Sequence, residues 1–236
     1  GGQLARMLAM AASRIGYKTH IYDPSVNSPA FDVASFKTIG AFQDTYLLKK
    51  FAKTVDVLTY EFENIPNSTL EGLEKLVQIY PNKNALSISQ DRIKEKQFFE
   101  KLGLLTAEYA LIESFEDLST AITDIKLPAL LKTCRDGYDG KGQILITKDT
   151  NKREIEKHLL QGVCILESFI NFHKELSVII TRNKAGNVVS FDPGENTHKS
   201  GILHTTRVPT QISKAIQIDA IVIAGKIINA LDYVGV

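Results

Sequence analysis

Short apolar runs, each closed by glycine, proline or an acidic residue, recur along the chain and predict alternating strands and helices. After Gly1-Gly2-Gln3-Leu4-Ala5 the apolar spacing is helical through Met10, and Gly16 supplies a stop. Residues 19–22 read as a strand ending at Asp23-Pro24, and residues 44–53 as a helix. Residues 56–60 are the next strand, running out into Glu61-Phe62-Glu63-Asn64-Ile65-Pro66. Residues 70–76 continue as helix, and residues 78–80 as a strand stopped by Pro81-Asn82. This alternation, to about residue 86, predicts a parallel sheet. Glu61 and Glu63, at a strand end, either face a ligand or lie in a solvated loop.

The pattern then changes. Residues 87–102 form an amphipathic helix with Ile93, Phe98, Phe99 and Leu102 on one face and Gly103 at its end. Arg92 and Lys96 share another face at i, i+4, the spacing of a solvated helix surface. Residues 106–112 are a strand, and Ser114 with Asp117 resembles a capping box for a helix to residue 125. Residues 151–160 are a helix stopped by Gly162, and residues 163–166 a buried strand leading into Glu167-Ser168-Phe169-Ile170. A strand over 175–181, a turn at Lys184-Ala185-Gly186-Asn187 and a returning strand over 188–191 form a hairpin. A polar loop over 192–201 carries Glu195, Asn196 and His198, and a buried helix spans 212–231. The fold class is α/β, turning to α+β in the second part, with a boundary between residues 86 and 87.

The richest chemistry lies in residues 127–143. The apolar run Ala129-Leu130-Leu131 ends in Lys132, glycines follow at 137, 140 and 142, and a second run begins at Ile144. Strand, glycine loop, strand is the expected form. Glycines let backbone N–H groups face an anion, and Lys132 and Lys141 add point charges for phosphate oxygens. The loop lacks a Walker pattern. A plain β-hairpin with a long glycine-rich turn is the alternative.

Composition narrows the class. The chain has 236 residues, 44% hydrophobic and 23% charged, enough for one large or two small soluble domains. Lys and Arg number 28 against 27 Asp and Glu, with no basic stripe, so nucleic acid is not an expected partner. Cys134 and Cys164 have no metal spacing, which suits a reducing cytoplasm. No signal peptide or membrane-spanning run is read; the apolar stretch 216–231 is interrupted by Asp219 and Lys226. The opening Gly1-Gly2 and the closing Tyr233-Val234-Gly235-Val236, which reads like the start of a strand, suggest an internal piece of a longer protein.

Four segments in order then resemble a known family: Gly1-Gly2-Gln3-Leu4-Ala5-Arg6-Met7, Thr59-Tyr60-Glu61-Phe62-Glu63-Asn64-Ile65-Pro66, Gly137-Tyr138-Asp139-Gly140-Lys141-Gly142-Gln143, and Glu195-Asn196-Thr197-His198-Lys199-Ser200-Gly201-Ile202-Leu203. They resemble the ATP-grasp superfamily and, within it, the 5-(carboxyamino)imidazole ribonucleotide synthetases. The resemblance implies a Rossmann-like pre-ATP-grasp domain over 1–86, its first strand missing, and an ATP-grasp domain over 87–236. That domain would divide into a lid subdomain near 107–165 and a C-terminal part, 166–236, that is incomplete.

The resemblance also implies roles. Arg92 and Lys132 match residues at the ATP phosphates, which replaces the solvated-face reading of Arg92. Gly137, Tyr138, Asp139, Gly140, Lys141, Gly142 and Gln143 match the lid over ATP. Glu167, Ser168, Phe169 and Ile170 match the hinge that holds adenine, Glu175 the acid at the ribose, and His198 a histidine near the nucleotide. Tyr138, Asp139 and Lys141 match residues reaching the ribonucleotide substrate, joined there by Gly2, Gln3, Leu4 and Glu61. Lys132, Tyr138, Asp139 and Lys141 are the implied catalytic set.

ATP and Mg2+ are the implied cofactors, aminoimidazole ribonucleotide and bicarbonate the substrates, and a homodimer the assembly. The family's magnesium-binding glutamates fall beyond Val236, so this chain alone is expected to be catalytically silent. Within the superfamily, biotin carboxylase and formate-using or glycinamide-type ligases are alternatives. From another class, a nicotinamide-dependent dehydrogenase would use Gly1-Gly2 and Asp23, the glycine turn and acidic residue of a dinucleotide-binding unit.

Overall fold

The computed structural model describes residues 1–137, 142–199 and 201–236. The chain divides into two compact units, Gly1–Leu86 and Ser87–Val236.

In the first unit, helix α1 (Gln3–Arg14) buries Ala5 and Ala9. Strand β1 (His20–Asp23) pairs in parallel with β2 (Phe36–Ile39), His20 opposite Phe36. Helix α2 (Thr45–Ala52) starts at Asp44, whose carboxylate accepts from the Leu47 N–H. Strand β3 (Val57–Leu58) pairs in parallel with β4 (Gln78–Ile79), with the short helix α3 (Asn67–Leu70) between them. Leu48, Phe51, Leu58, Leu70, Leu73, Val77 and Ile79 form the core. The strands are parallel, but they form two separate pairs, β1-β2 and β3-β4. A cavity of about 910 Å³ is lined by residues of both β1 and β3.

Two expectations change here. The helix over 70–76 is absent: α3 ends at Leu70, and Gly72, at φ +77°, turns the chain so that Leu73 and Val77 enter the core. Strand β2 and a 3-10 turn over Pro29–Asp32 were not foreseen, because neither shows a clean period.

Helix α4 (Lys83–Ser89) and helix α5 (Arg92–Lys101) stand where one helix over 87–102 was expected. The break is Asp91, which is extended and caps α5 by accepting from the Ile93 and Lys94 N–H groups. Helix α5 has no buried residue, so the apolar face expected of Ile93, Phe98, Phe99 and Leu102 is only half-covered.

The second unit is built on an antiparallel sheet. Its strands are β5 (Tyr109–Ile112), β6 (Ala129–Thr133), β7 (Gln143–Ile146) and β8 (Cys164–Ser168), in the order β5-β8-β6-β7. Helix α6 (Phe115–Ile125) closes the Ser114–Asp117 capping box in full, and α7 (Lys152–Leu159) starts at Asn151. Leu118, Ala121 and Ile125 of α6 and Ile155 of α7 pack on Ile112, Ala129, Leu131, Ile146, Cys164 and Leu166. Alternation along β6 therefore sends Ala129, Leu131 and Thr133 to the core and Leu130 and Lys132 to the other face.

A second sheet contains β9 (Glu175–Ser177), β12 (Gly194–Lys199) and β13 (Ile202–Arg207), in the order β13-β12-β9. Strands β10 (Ile180–Arg182) and β11 (Val188–Ser190) form the expected hairpin, closed by Asn183 N–H to the Asn187 carbonyl at 3.0 Å. The strand expected over 175–181 is thus two strands serving two sheets. The expected polar loop over 192–201 contains β12. Polar pairs take the place of an apolar stripe there: Asn196 Nδ2 donates to Glu175 at 3.2 Å, and Thr206 Oγ1 to Asn196 at 2.9 Å. Helix α8 (Lys214–Ala230) follows Ser213 but is not the buried helix expected over 212–231: of its residues only Gln217 and Ile228 are buried, and Ile216, Ile218 and Val222 are exposed. Gly235 forms an antiparallel bridge with Arg182.

Candidate active site

The face of the first sheet turned away from its core gathers the charged groups. In the β6–β8 ladder Lys132 lies opposite Ile165 and Leu130 opposite Glu167, so Lys132 and Glu167 are diagonal neighbours. Lys132 Nζ donates to Glu167 Oε2 at 2.6 Å. From α5, Lys96 Nζ lies 3.3 Å from Glu167 Oε1 and 5.8 Å from the centre of the Tyr109 ring. Tyr109 pairs with Glu167 across β5 and β8. Glu167 is buried, at 7% exposure. That burial pushes its carboxyl up, but the Lys132 hydrogen bond and charge, with Lys96, hold it below the ordinary glutamate value. Burial pushes Glu95, also on α5, above its ordinary value against the pull of Arg92, Lys96 and Lys132.

Arg92 opens α5 and reaches the stem of the glycine loop. Its Nη1 donates to the Thr133 carbonyl at 2.7 Å and its Nη2 to the Gly137 carbonyl at 3.3 Å, while its N–H bonds the Cys134 carbonyl at 3.0 Å. Gly142 closes the stem by accepting from the Thr133 N–H at 2.8 Å. Gly142 has φ +72°, and a Cβ there would lie 2.8 Å from Thr133 Oγ1, so both its backbone and its surroundings call for glycine. Gln143 shares the β6–β7 register with Lys132. Tyr138, Asp139, Gly140 and Lys141 lie outside the described residues.

Beyond Glu167, the Ser168 N–H bonds the Glu108 carbonyl at 2.9 Å and the Phe169 N–H the Pro128 carbonyl at 3.3 Å, leaving the Phe169 and Ile170 side chains exposed. On the second sheet His198 Nδ1 lies 3.5 Å from Glu175 Oε1, so these two candidates meet. In the first unit Gly2 and Glu61 line the cavity, whereas Gln3 and Leu4 are exposed on α1.

Sequence reasoning missed Lys96, read as solvated; its side chain is 13% exposed and ion-paired. The available signal was its i, i+4 spacing from Arg92, which places both on one side of α5. Three cations (Arg92, Lys96 and Lys132) face two carboxylates (Glu95 and Glu167), one of them pushed toward its neutral form. That donor set suits a polyphosphate. Among the described residues no group of three or more His, Cys, Asp or Glu is arranged for a metal ion, so no residue here is assigned to magnesium. Among them, too, no helix is long and apolar enough to cross a membrane.

Known proteins share this architecture. The N5-carboxyaminoimidazole ribonucleotide synthase of Brucella melitensis is 43% identical over 238 residues, covering 100% of this chain and 66% of that protein. The synthase of Bacillus subtilis is 37% identical over 235 residues, covering 100% and 62%. The chain therefore spans less than two thirds of the length of these relatives.

A crystal structure of the ADP complex of an N5-carboxyaminoimidazole ribonucleotide synthetase matches with TM-score 0.95 at 39% identity, covering 100% of this chain and 62% of that one. The Aspergillus clavatus synthase, solved with ADP and 5-aminoimidazole ribonucleotide, matches with TM-score 0.88 at 25% identity, covering 100% and 61%. Residues 1–90 match the ribonucleotide synthetase preATP-grasp domain, which sets aside a nicotinamide-dependent dehydrogenase built on Gly1-Gly2 and Asp23. Residues 97–236, more than half of the chain, match the ATP-grasp domain, and the chain belongs to the ATP-grasp family.

Proposed function

We propose that the protein is an ATP-dependent carbon–nitrogen ligase of purine biosynthesis. It carboxylates 5-aminoimidazole ribonucleotide with bicarbonate, giving 5-(carboxyamino)imidazole ribonucleotide, ADP and phosphate. The observation that carries this reading is that synthases of that name match the whole chain, both units in order. The solved relative with ADP and 5-aminoimidazole ribonucleotide bound together supports the pairing of substrates.

The chemistry has two stages. A bicarbonate oxygen attacks the γ-phosphorus of ATP, ADP leaves, and carboxyphosphate forms. Its carboxyl, transferred directly or as carbon dioxide, joins the exocyclic amine of the ribonucleotide, and phosphate leaves. The first stage needs fixed positive charge around a transferring phosphoryl group, and the second needs water kept from a labile intermediate. Lys132 and Arg92 are assigned to the phosphates. Glu167, Ser168, Phe169 and Ile170 are assigned to adenine, Glu175 to the ribose and His198 beside the nucleotide. Gly137 to Gln143 form the cover over it, with Tyr138, Asp139 and Lys141 reaching the ribonucleotide. Gly2, Gln3, Leu4 and Glu61 are assigned to the ribonucleotide on the first unit. Mg2+ accompanies ATP. A homodimer in the cytoplasm completes the proposal.

The test is phosphate release by the full-length enzyme with ATP, magnesium and bicarbonate. Stimulation by aminoimidazole ribonucleotide and none by glycinamide ribonucleotide is expected. The reverse preference would move the protein to another ATP-grasp ligase.

A further inference from the structure

We propose that Lys96 is the counter-charge that lets Lys132 leave Glu167 when a polyphosphate arrives. The inference rests on the nucleotide reading of this site. Each oxygen of Glu167 has its own lysine: Oε2 takes Lys132 at 2.6 Å and Oε1 takes Lys96 at 3.3 Å. A buried carboxylate stripped of every cation is heavily penalised, so a single lysine at Glu167 would be locked there. Two lysines on one carboxylate leave one to spare.

The surroundings decide which one moves. Lys96 has a second tie, the Tyr109 ring at 5.8 Å, and Tyr109 is fixed beside Glu167 by the β5–β8 ladder. Lys132 is the more exposed of the two, 21% against 13%, and shares its sheet face with Gln143, where the chain leaves the glycine loop. Lys132 therefore turns to a phosphate while Lys96 stays and keeps Glu167 neutralised. Lys96 is a positioning residue, acting on the phosphates through Glu167 and Lys132.

The experiment measures affinity of the purified protein for ATP, ADP and adenosine. Wild type, Lys96→Met, Lys96→Arg, Glu167→Gln and the Lys96→Met/Glu167→Gln double variant are compared. Lys96→Met is expected to weaken ATP and ADP about tenfold, a typical coupling. It leaves adenosine, which has no phosphate, unchanged, and Lys96→Arg recovers most of the loss. In the Glu167→Gln background, Lys96→Met is expected to change ATP affinity by less than about twofold, since a cycle isolates the pairwise effect.

Equal losses in both backgrounds would make Lys96 a direct phosphate ligand and overturn the proposal. Equal losses for adenosine and ATP would make it a structural prop, which overturns the proposal as well. A loss of ATP affinity in Glu167→Gln larger than its loss of adenosine affinity would show that the carboxylate supports the phosphate contacts rather than detaining Lys132, and the proposal would fall with it. A wild-type protein that binds none of the three sinks the nucleotide reading itself, and this inference with it.

Discussion

Arg92 precedes Thr133 by 41 residues, yet its guanidinium donates to the Thr133 carbonyl at 2.7 Å. A second arm of the same fork takes the Gly137 carbonyl at 3.3 Å. The start of α5 thereby holds the near end of the glycine loop, and an arginine assigned to phosphates also shapes the backbone that would cover them.

Removing that clamp leaves two carbonyls without their charged donor. Arg92→Ala is expected to cost about 1–2 kcal/mol in urea unfolding, the range of hydrogen bonds to a charged group at a partly exposed site. Arg92→Lys should recover little, because an ammonium lacks the planar fork. An unfolding midpoint unchanged in Arg92→Ala would show that the clamp carries no stability.

Lys132 is one of the two cations proposed to hold the phosphates. In the full-length enzyme Lys132→Ala is expected to lower kcat about 100-fold, on the scale of losing one preorganised donor at a transferring group. Wild-type turnover by the variant would remove Lys132 from the phosphate role.

Gly142 is held tightly from two directions. Gly142→Ala places a Cβ 2.8 Å from Thr133 Oγ1 at φ +72° and is expected to destabilise by about 1–3 kcal/mol. Thr133→Ala in the same chain should recover only the steric part, because the positive φ remains. Full recovery would show that the backbone conformation costs alanine nothing.

Two histidines, the buried His158 and the half-buried His20, give the fold an acid edge. Burial lowers His20, against an opposing backbone interaction with Lys37, and lowers His158, against one with Gly142. Both rings are favoured neutral in the folded state. Their contribution is full above the unfolded value near 6.5 and is lost as pH falls through the lower folded values. The urea midpoint should fall from pH 7.5 to pH 5, and His20→Gln should flatten part of that fall. The same slope in His20→Gln would clear His20 of the effect.

Both thiols should be silent in the folded protein. Cys134 is pushed up to about 11 by burial and then by Asp91 and Cys164, and burial raises Cys164. Labelling with a thiol reagent at pH 8 should wait for urea, since the thiolate is the reactive form. Rapid native labelling of either would mean that the strand region carrying them opens.

Elements with a strong period were legible in the sequence. Helices α1, α2, α6 and α7 and strands β6, β7 and β8 follow from apolar spacing, and Ser114 with Asp117 announced its own cap. What failed was decided across the fold rather than along it. Strand β12 is held by cross-strand pairs of Asn196 with Glu175 and Thr206, which no local alternation encodes. Asp91 splits a continuous-looking helix because its carboxylate offers the next amides a cap. Lys96 reads as solvent-facing until β8 brings Glu167 beside it.

The aim of Lys132 is inherited from its neighbours. Ala129 and Leu131 seat β6 in the core, and the pleat alone then turns Lys132 to the opposite face. Insertions and deletions therefore divide sharply by position in this segment. One residue gained within 129–133 would swing the lysine into the oily side and an aliphatic chain toward the charges, since side chains alternate with a period of two. Length change further along, where the chain leaves the ladder, would spare that alternation. A lineage can change the length of the chain beyond the ladder without turning Lys132, but must copy the strand itself residue for residue in length.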